Sequence, residues 1–498
     1  MNGQRGLVRP FEAEAFMHRV AAIKLSHQVQ SRLEKIKGDT VRHLRATGLF
    51  IGFVSLFFAA FPGISLGGSG TGEGFWRAAE RSCHGDVHCM IQALEDAPDV
   101  PSFRGWIDSA ELLAVLKKTN RFHRLGLTDA EGEQLLQAVF KKLHPVGKRT
   151  PRTSSPSADS LAHILQPPAF PYRAPAEFEP LRAVLFRWPS DWPEMQPAWA
   201  RMIDVCAQAG VTAAVWVTAP FQQQGALAYL QEQGIGTDHI RWVVEPTSTV
   251  WIRDYGPQVI RALDSNQWGV VDFHYYDGRR QDDNTPLVVA LGLGLPYVDR
   301  QRRAVVYTEG GNLNHDGLGC VVYSQRTYKR NPGVSPDEID RRILSAFEAK
   351  KSLVPKDLSL DGTGHVDMFM KIVGPDTVLM GQYGPDQTDY AALEENAALF
   401  ARETNGEGAP WRVVRLVQPD VSFTHFLVPV VRTYTNALMV NNHVIVPVYG
   451  IPEDEQALAV YREVLPGKTI VPLNAEEIIP SGGAWHCVTM EVAVPAGS

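Results

Sequence analysis

Apolar positions set two different rhythms along this chain. From about residue 176 onward, short apolar runs alternate with segments spaced for helices, which marks an α/β domain. Ala183-Val184-Leu185-Phe186 and Ala213-Ala214-Val215-Trp216-Val217 read as buried strands, with a helix over Gln196 to Ala209 between them. Farther on, one unit recurs three times: strand, tight turn, strand, helix. Val305 to Ser324 turns at Asp316-Gly317 before a helix from Pro336, and Val366 to Tyr383 turns at Gly374-Pro375-Asp376 before a helix from Asp389. Ala437 to Tyr449 turns at Asn441-Asn442 before a helix from Glu453. Three such units, following two more divergent ones, predict blades around a central axis. Loops at one end of those blades would converge on one pocket.

The N-terminal third has a different rhythm. Residues 1–47 form a basic, polar lead ending in Arg42-His43-Leu44-Arg45. An uncharged run, Leu49 to Phe61, follows within segment 48–66 and is closed by Pro62-Gly63. It falls short of the roughly 20 residues of a bilayer span, but its length and basic flank fit a signal h-region or an uncleaved signal anchor. The expectation is therefore an exported chain, secreted, periplasmic or held at the membrane through 49–61; if the run is only a buried helix, the chain is cytoplasmic. A Gly/Ser/Thr-rich linker over 67–74 leads to a small helical region, 75–144. There Thr128 with Glu131 makes a capping box, followed by Leu135, Leu136, Val139, Phe140 and Leu143 at helical spacing. A Pro-rich linker, 145–175, precedes the main domain, 176–498.

Composition narrows the chemistry. The net charge of −7 and the lack of a basic stripe argue against a nucleic-acid partner. Five cysteines are too few for a disulfide scaffold and leave at least one free thiol. Cys83 and Cys89 lack the second ligand pair of a zinc finger, so a local disulfide is the better reading for an exported chain. No metal or other cofactor is called for.

Four stretches carry candidate chemistry. Trp251-Ile252-Arg253-Asp254 sets a ring and a carboxylate three residues apart. Thr308-Glu309-Gly310-Gly311-Asn312 places an acid before paired glycines. In Gly364-His365-Val366-Asp367, a strand would turn His365 and Asp367 to the same face. Ser481-Gly482-Gly483-Ala484-Trp485-His486-Cys487 leads into a strand over Trp485 to Val494, with Cys487 near its mouth. Alone, each fits an ordinary turn, core or surface pair. Together they suit a guanidinium guest. Asp254 and Asp367 would hold the planar cation, Trp251 would stack on it, Cys487 would attack its carbon and His365 would move protons. Two nearby anions disfavour the thiolate, so a resting thiol, ionised as substrate arrives, is expected. A Cys-His-Asp acyl-transfer site has no use for the second carboxylate, and an inactive binding propeller would not need every one of these groups.

These motifs, in this order, resemble those of the bacterial-type peptidylarginine deiminase and agmatine deiminase family over roughly Phe170 to Pro495. The resemblance implies an α/β five-bladed propeller with pseudo-fivefold symmetry. It implies hydrolysis of a guanidinium to a ureido group and ammonia through a covalent thiouronium on Cys487, with His365 as general acid/base and Asp254 and Asp367 as clamps. Asn436 matches an asparagine that assists the peptidyl branch, and Glu309 an acid of the agmatine branch. Arg279 or Arg280 stands where the peptidyl branch holds a substrate carboxylate, although Asp277 takes the place of a further arginine. The expectation leans to an arginine-containing peptide or protein as substrate, with agmatine as the alternative.

Overall fold

The structure is a computed structural model. It describes residues 127–143, 166–276, 279–298, 306–424 and 427–493, with isolated positions between 87 and 122. The basic lead, the 49–61 run, the 67–74 linker, Cys83, most of 145–175 and Asp277 lie outside the described residues. Everything below belongs to the second of the chain's two units, Gly68–Ser498.

The expected α/β class is observed, with mixed sheets. Among the described residues, five sheets of three or four strands share one pattern: an antiparallel pairing followed by a parallel one. Asn314–His315 runs antiparallel to Cys320–Val322, which runs parallel to Lys351–Leu353. The next sheet repeats this with Met370–Gly374, Thr377–Gln382 and Arg412–Val417, and another with Leu438–Val440, His443–Val448 and Thr469–Asn474. In each, the parallel strand is reached through a helix: Pro336–Phe347, Tyr390–Arg402 and Glu453–Val464 respectively. A parallel neighbour needs such a crossover, whereas the antiparallel one needs only a turn. The predicted turns supply the required backbone: Gly317 has φ +74° and Asn441 has φ +49°.

The remaining two sheets are larger. Tyr172–Arg173, Gln258–Ala262, Trp268–Val271 and Tyr297–Val298 form one. The other joins the two ends of the domain: Thr489–Val492 pairs antiparallel with Ala183–Arg187, which continues in parallel to Thr212–Val217 and Ile240–Val244. Its strands bury Val184, Phe186, Ala213 and Val215 completely. The main apolar cluster runs through this sheet and also takes in Leu135 and Leu136 of the helix Asp129–Leu143, while the sheet of Gln258–Ala262 and Trp268–Val271 packs into two smaller clusters. That helix begins at the predicted capping box, where the Thr128 N–H donates to Glu131 Oε2 at 2.8 Å and the Glu131 N–H to Thr128 Oγ1 at 3.3 Å. No helix among the described residues is long and apolar enough to cross a membrane.

Candidate active site

Four loops carry the motif residues, and backbone bonds tie them together. Asp254 lies in the single helical turn Ile252–Tyr255. The preceding Arg253 donates its backbone N–H to the Cys487 carbonyl at 3.3 Å and its Nε–H to the His486 carbonyl at 3.1 Å. Asn312 closes the turn after Glu309, and its Oδ1 accepts the N–H groups of Ser324 and Val366 at 3.0 and 3.2 Å. The Thr435 hydroxyl donates to the Asp367 carbonyl at 3.0 Å, and the His486 N–H to the Asn436 carbonyl at 3.2 Å. Each loop is thereby held by another motif's backbone, which limits how far a reacting group can drift.

Two local expectations are corrected. His365 and Asp367 do not share a strand face: the chain makes a tight 3₁₀ turn over Val366–Met368, and the strand begins only at Met370. Cys487 likewise precedes its strand, which starts at Thr489. The Thr489 hydroxyl donates back to the Trp485 carbonyl at 2.7 Å, and strand pairing begins opposite Phe186. The turn keeps the carbonyls of residues 486 and 487 available to Arg253. Gly482, at φ +91°, makes the bend leading into it.

The side chains nevertheless meet. The Cys487 sulfur lies 3.6 Å from Asp367 Oδ2 and receives the Asn436 amide N–H at 3.0 Å. His365 Nε2 sits 2.5 Å from Glu309 Oε2, and its Nδ1 sits 3.7 Å from Asp254 Oδ1. Three of these groups close in over Gly311. A Cβ there would come within 2.5 Å of His365 Nδ1, 3.0 Å of Asp254 Oδ1 and 3.1 Å of Asp367 Oδ2. An imidazole and two carboxylates thus face one side-chain-free stretch of backbone, while Asp367 also faces the sulfur. All of these groups are interior, with Asp254 the most exposed at 4%.

Charge is balanced behind this front. Burial pushes the Glu309 carboxyl up, but Arg330 and then His365 outweigh it and hold the group well below the usual carboxylate range. Arg330 donates to Glu309 Oε1 at 2.5 Å and to the Tyr276 hydroxyl at 3.0 Å, with its guanidinium 4.3 Å above the Tyr276 ring. Glu309 therefore serves as a fixed anion on the far nitrogen of His365.

The other sequence candidates are less central. Trp251 is buried in the main apolar cluster, and its carbonyl accepts the Asp254 N–H at 3.1 Å. Arg279 pairs with Asp282 at 3.3 Å, and Asp282 also accepts the Ser248 N–H. Arg280 opens the short helix Arg280–Asp283 and is exposed. Sequence reasoning missed Arg330 and Tyr276, and it assigned no role to Glu177 or His486. Lys371 gives one local signal, a cation inside the apolar strand Met370–Gly374 that demands a buried acid; Glu177 supplies it at 2.6 Å. Cys89 is disulfide-bonded, while Cys206, Cys320 and Cys487 are free thiols among the described residues.

Comparison with known proteins places these features in a lineage. The family model described as Porphyromonas-type peptidyl-arginine deiminase matches residues 173–493. The agmatine deiminase of Stutzerimonas stutzeri is 28% identical over 363 residues, which span 65% of this chain and 96% of that protein. Among solved structures, the agmatine deiminase of Enterococcus faecalis covers 65% of this chain and 96% of its own, at 24% identity and a TM-score of 0.56. The agmatine deiminase of C. jejuni covers 64% of this chain and 96% of its own, at 17% identity and a TM-score of 0.54.

Proposed function

The chain belongs to the Porphyromonas-type peptidyl-arginine deiminase family, a hydrolase family acting on guanidino groups, and from that premise we propose that it deiminates a small guanidinium substrate, agmatine first among them. The observation carrying the reaction is the convergence over Gly311, with the Cys487 sulfur 3.6 Å from Asp367. Asp254 and Asp367 hold the guanidinium N–H groups and set its carbon before the sulfur. The Cys487 thiolate attacks that carbon, and the C–N bond breaks as His365 delivers a proton to departing ammonia. This leaves an amidino group on sulfur. Water then attacks the same carbon, His365 takes its proton, and the C–S bond breaks to release the ureido product and the thiolate. Asn436 steadies negative charge on sulfur, and Glu309 steadies the imidazolium.

The five sheets are read as five blades about a pseudo-fivefold axis. Recurrence of the same antiparallel-then-parallel pairing in each supports this. Agmatine is preferred over the peptidyl arginine expected from sequence for two reasons. The named relative at 28% identity is an agmatine deiminase. Arg279, one of the two residues assigned to a substrate carboxylate, is engaged by Asp282. The peptidyl reading keeps one support, the Asn436 amide on the sulfur, which matches that branch.

The test is to incubate the protein separately with agmatine, free arginine and a peptide ending in arginine, and to measure ureido product from each. Agmatine is expected to turn over fastest. Product from the peptide alone would reverse the substrate assignment, and product from none would remove the deiminase reading. Cys487→Ser is expected to abolish turnover of whichever substrate is accepted.

A further inference from the structure

His486 immediately precedes the candidate nucleophile yet has no part in the steps above. It is 1% exposed and lies between two carboxylates, with Nδ1 2.7 Å from Asp367 Oδ2 and Nε2 3.0 Å from Glu177 Oε2. Glu177 is anchored in turn. Its Oε2 accepts from Lys371 Nζ at 2.6 Å and its Oε1 from the Met439 N–H at 2.7 Å, so it reaches the first strands of two neighbouring sheets. Burial pushes the Glu177 carboxyl up, but Lys371 and then His486 outweigh it and hold it well below the usual range. It is an anion, and an ionised carboxylate only accepts hydrogen bonds.

A neutral imidazole has one N–H and one lone pair. Between two accepting carboxylates, it would set one lone pair against another. With protons on both nitrogens, both contacts become charge-assisted hydrogen bonds. The charged groups facing His486 from neighbouring elements are Asp367, Glu177, Glu491 and Arg253, with Lys371 behind Glu177 and Cys487 beside it in the chain. Glu177, His486 and Glu491 bring ligand-type atoms within 4.8 Å of one another. Lys371 on Glu177 and Arg253 on Glu491 already supply the positive charge a cation would bring, so the cluster is an ion-pair network.

The geometry points to His486 as a positioning residue, a doubly protonated bridge that pins the Asp367 carboxylate to Glu177 and so to the neighbouring sheets. Asp367 then meets the guanidinium with its orientation already set, and a cation stands one residue from the attacking sulfur. This inference rests on Asp367 acting as a guanidinium clamp.

Two readouts test it on the full chain. The first needs no substrate: nitrogen NMR of 15N-histidine-labelled protein at pH 7.5. A doubly protonated ring signal that is present in the parent and missing in His486→Asn is expected. A singly protonated His486 overturns the proposal. The second is kinetic, with agmatine. Asn places an amide nitrogen near the Nδ1 position, whereas Phe only fills the volume. His486→Asn should stay within about tenfold of the parent kcat/KM, while His486→Phe should lose about a hundredfold, mostly in KM, as expected for a hydrogen bond to a charged group. A purely packing role predicts the opposite ranking and would overturn the inference. If neither variant folds, Glu177→Gln replaces them. It should cost the ring one of its two protons at pH 7.5, and an unchanged spectrum would count against the bridge. Absence of agmatine turnover with the doubly protonated ring intact would strike the substrate reading alone.

Discussion

The Asn436 side-chain amide nitrogen stands 3.0 Å from the Cys487 sulfur, and the oxygen of the same amide accepts the N–H groups of Ala484 and Cys487 at 2.9 and 3.3 Å. Two donors on the oxygen fix which end faces the sulfur. An N–H aimed at sulfur favours the thiolate over the thiol. Asn436→Ala should therefore slow inactivation by iodoacetamide at neutral pH and move its titration upward, with kcat/KM falling about 10- to 100-fold. Asn436→Asp, which turns an anion toward the sulfur, should be worse. An unchanged alkylation profile in both would show that this amide does not tune the thiol.

Gly311 should tolerate no side chain. The Cβ of alanine would enter the space shared by His365, Asp254 and Asp367, within 2.5 Å of the imidazole. Gly311→Ala should cost more than about a hundredfold in kcat/KM, while overpacking takes roughly 1–3 kcal/mol of stability. Steady-state kinetics beside thermal melts separate the two effects. A fully active Gly311→Ala would place the guanidinium elsewhere.

Arg330 is expected to act through Glu309. It is the leading influence holding that carboxyl low against burial. In Arg330→Met, Glu309 should protonate at a higher pH than in the parent and cease to support charge on His365. The acid limb of kcat/KM against pH should move toward neutrality, with a fall in kcat of about tenfold or more. A limb that does not move would separate Glu309 from the proton transfers.

Glu177 and Glu309 should also shape acid stability. Both have folded-state values held below the ordinary glutamate value of 4.5. For such groups the stabilisation is complete above the unfolded value and is lost as pH falls from about 4.5 toward the lower folded value. Glu177→Gln should be about 3–5 kcal/mol less stable at pH 7, because it leaves Lys371 buried without its anion. The gap to the parent should narrow as pH drops below 4.5. Urea unfolding across pH 3–7 measures this, and a constant gap would mean that Glu177 contributes by shape alone.

Much of the architecture was legible because its signals are local. Asp316-Gly317 and Asn441-Asn442 marked hairpins through backbone that tolerates positive φ, and Thr128 with Glu131 marked a helix start. Cys487, His365, Asp254, Asp367 and Asn436 were named, and they do converge. The strand readings at 365–367 and 485–488 failed because alternating polar and apolar residues in a tight turn imitate strand periodicity. Glu177 and Arg330 were missed for another reason. Glu177 meets His486 across 309 positions, and no local pattern announces a partner so far away. Only a cation stranded in an apolar strand, Lys371, hinted that such a partner must exist.

The pairing of Ala183–Arg187 with Thr489–Val492 has a consequence for biosynthesis. The ribosome delivers one partner early and the other only after the strands that build the other four of the five sheets have been made. Until then, the first strand of this sheet keeps an unsatisfied edge that invites association with neighbouring nascent chains. A message truncated before codon 489 would yield a polypeptide with nearly all of its framework and no means of holding its thiol in place.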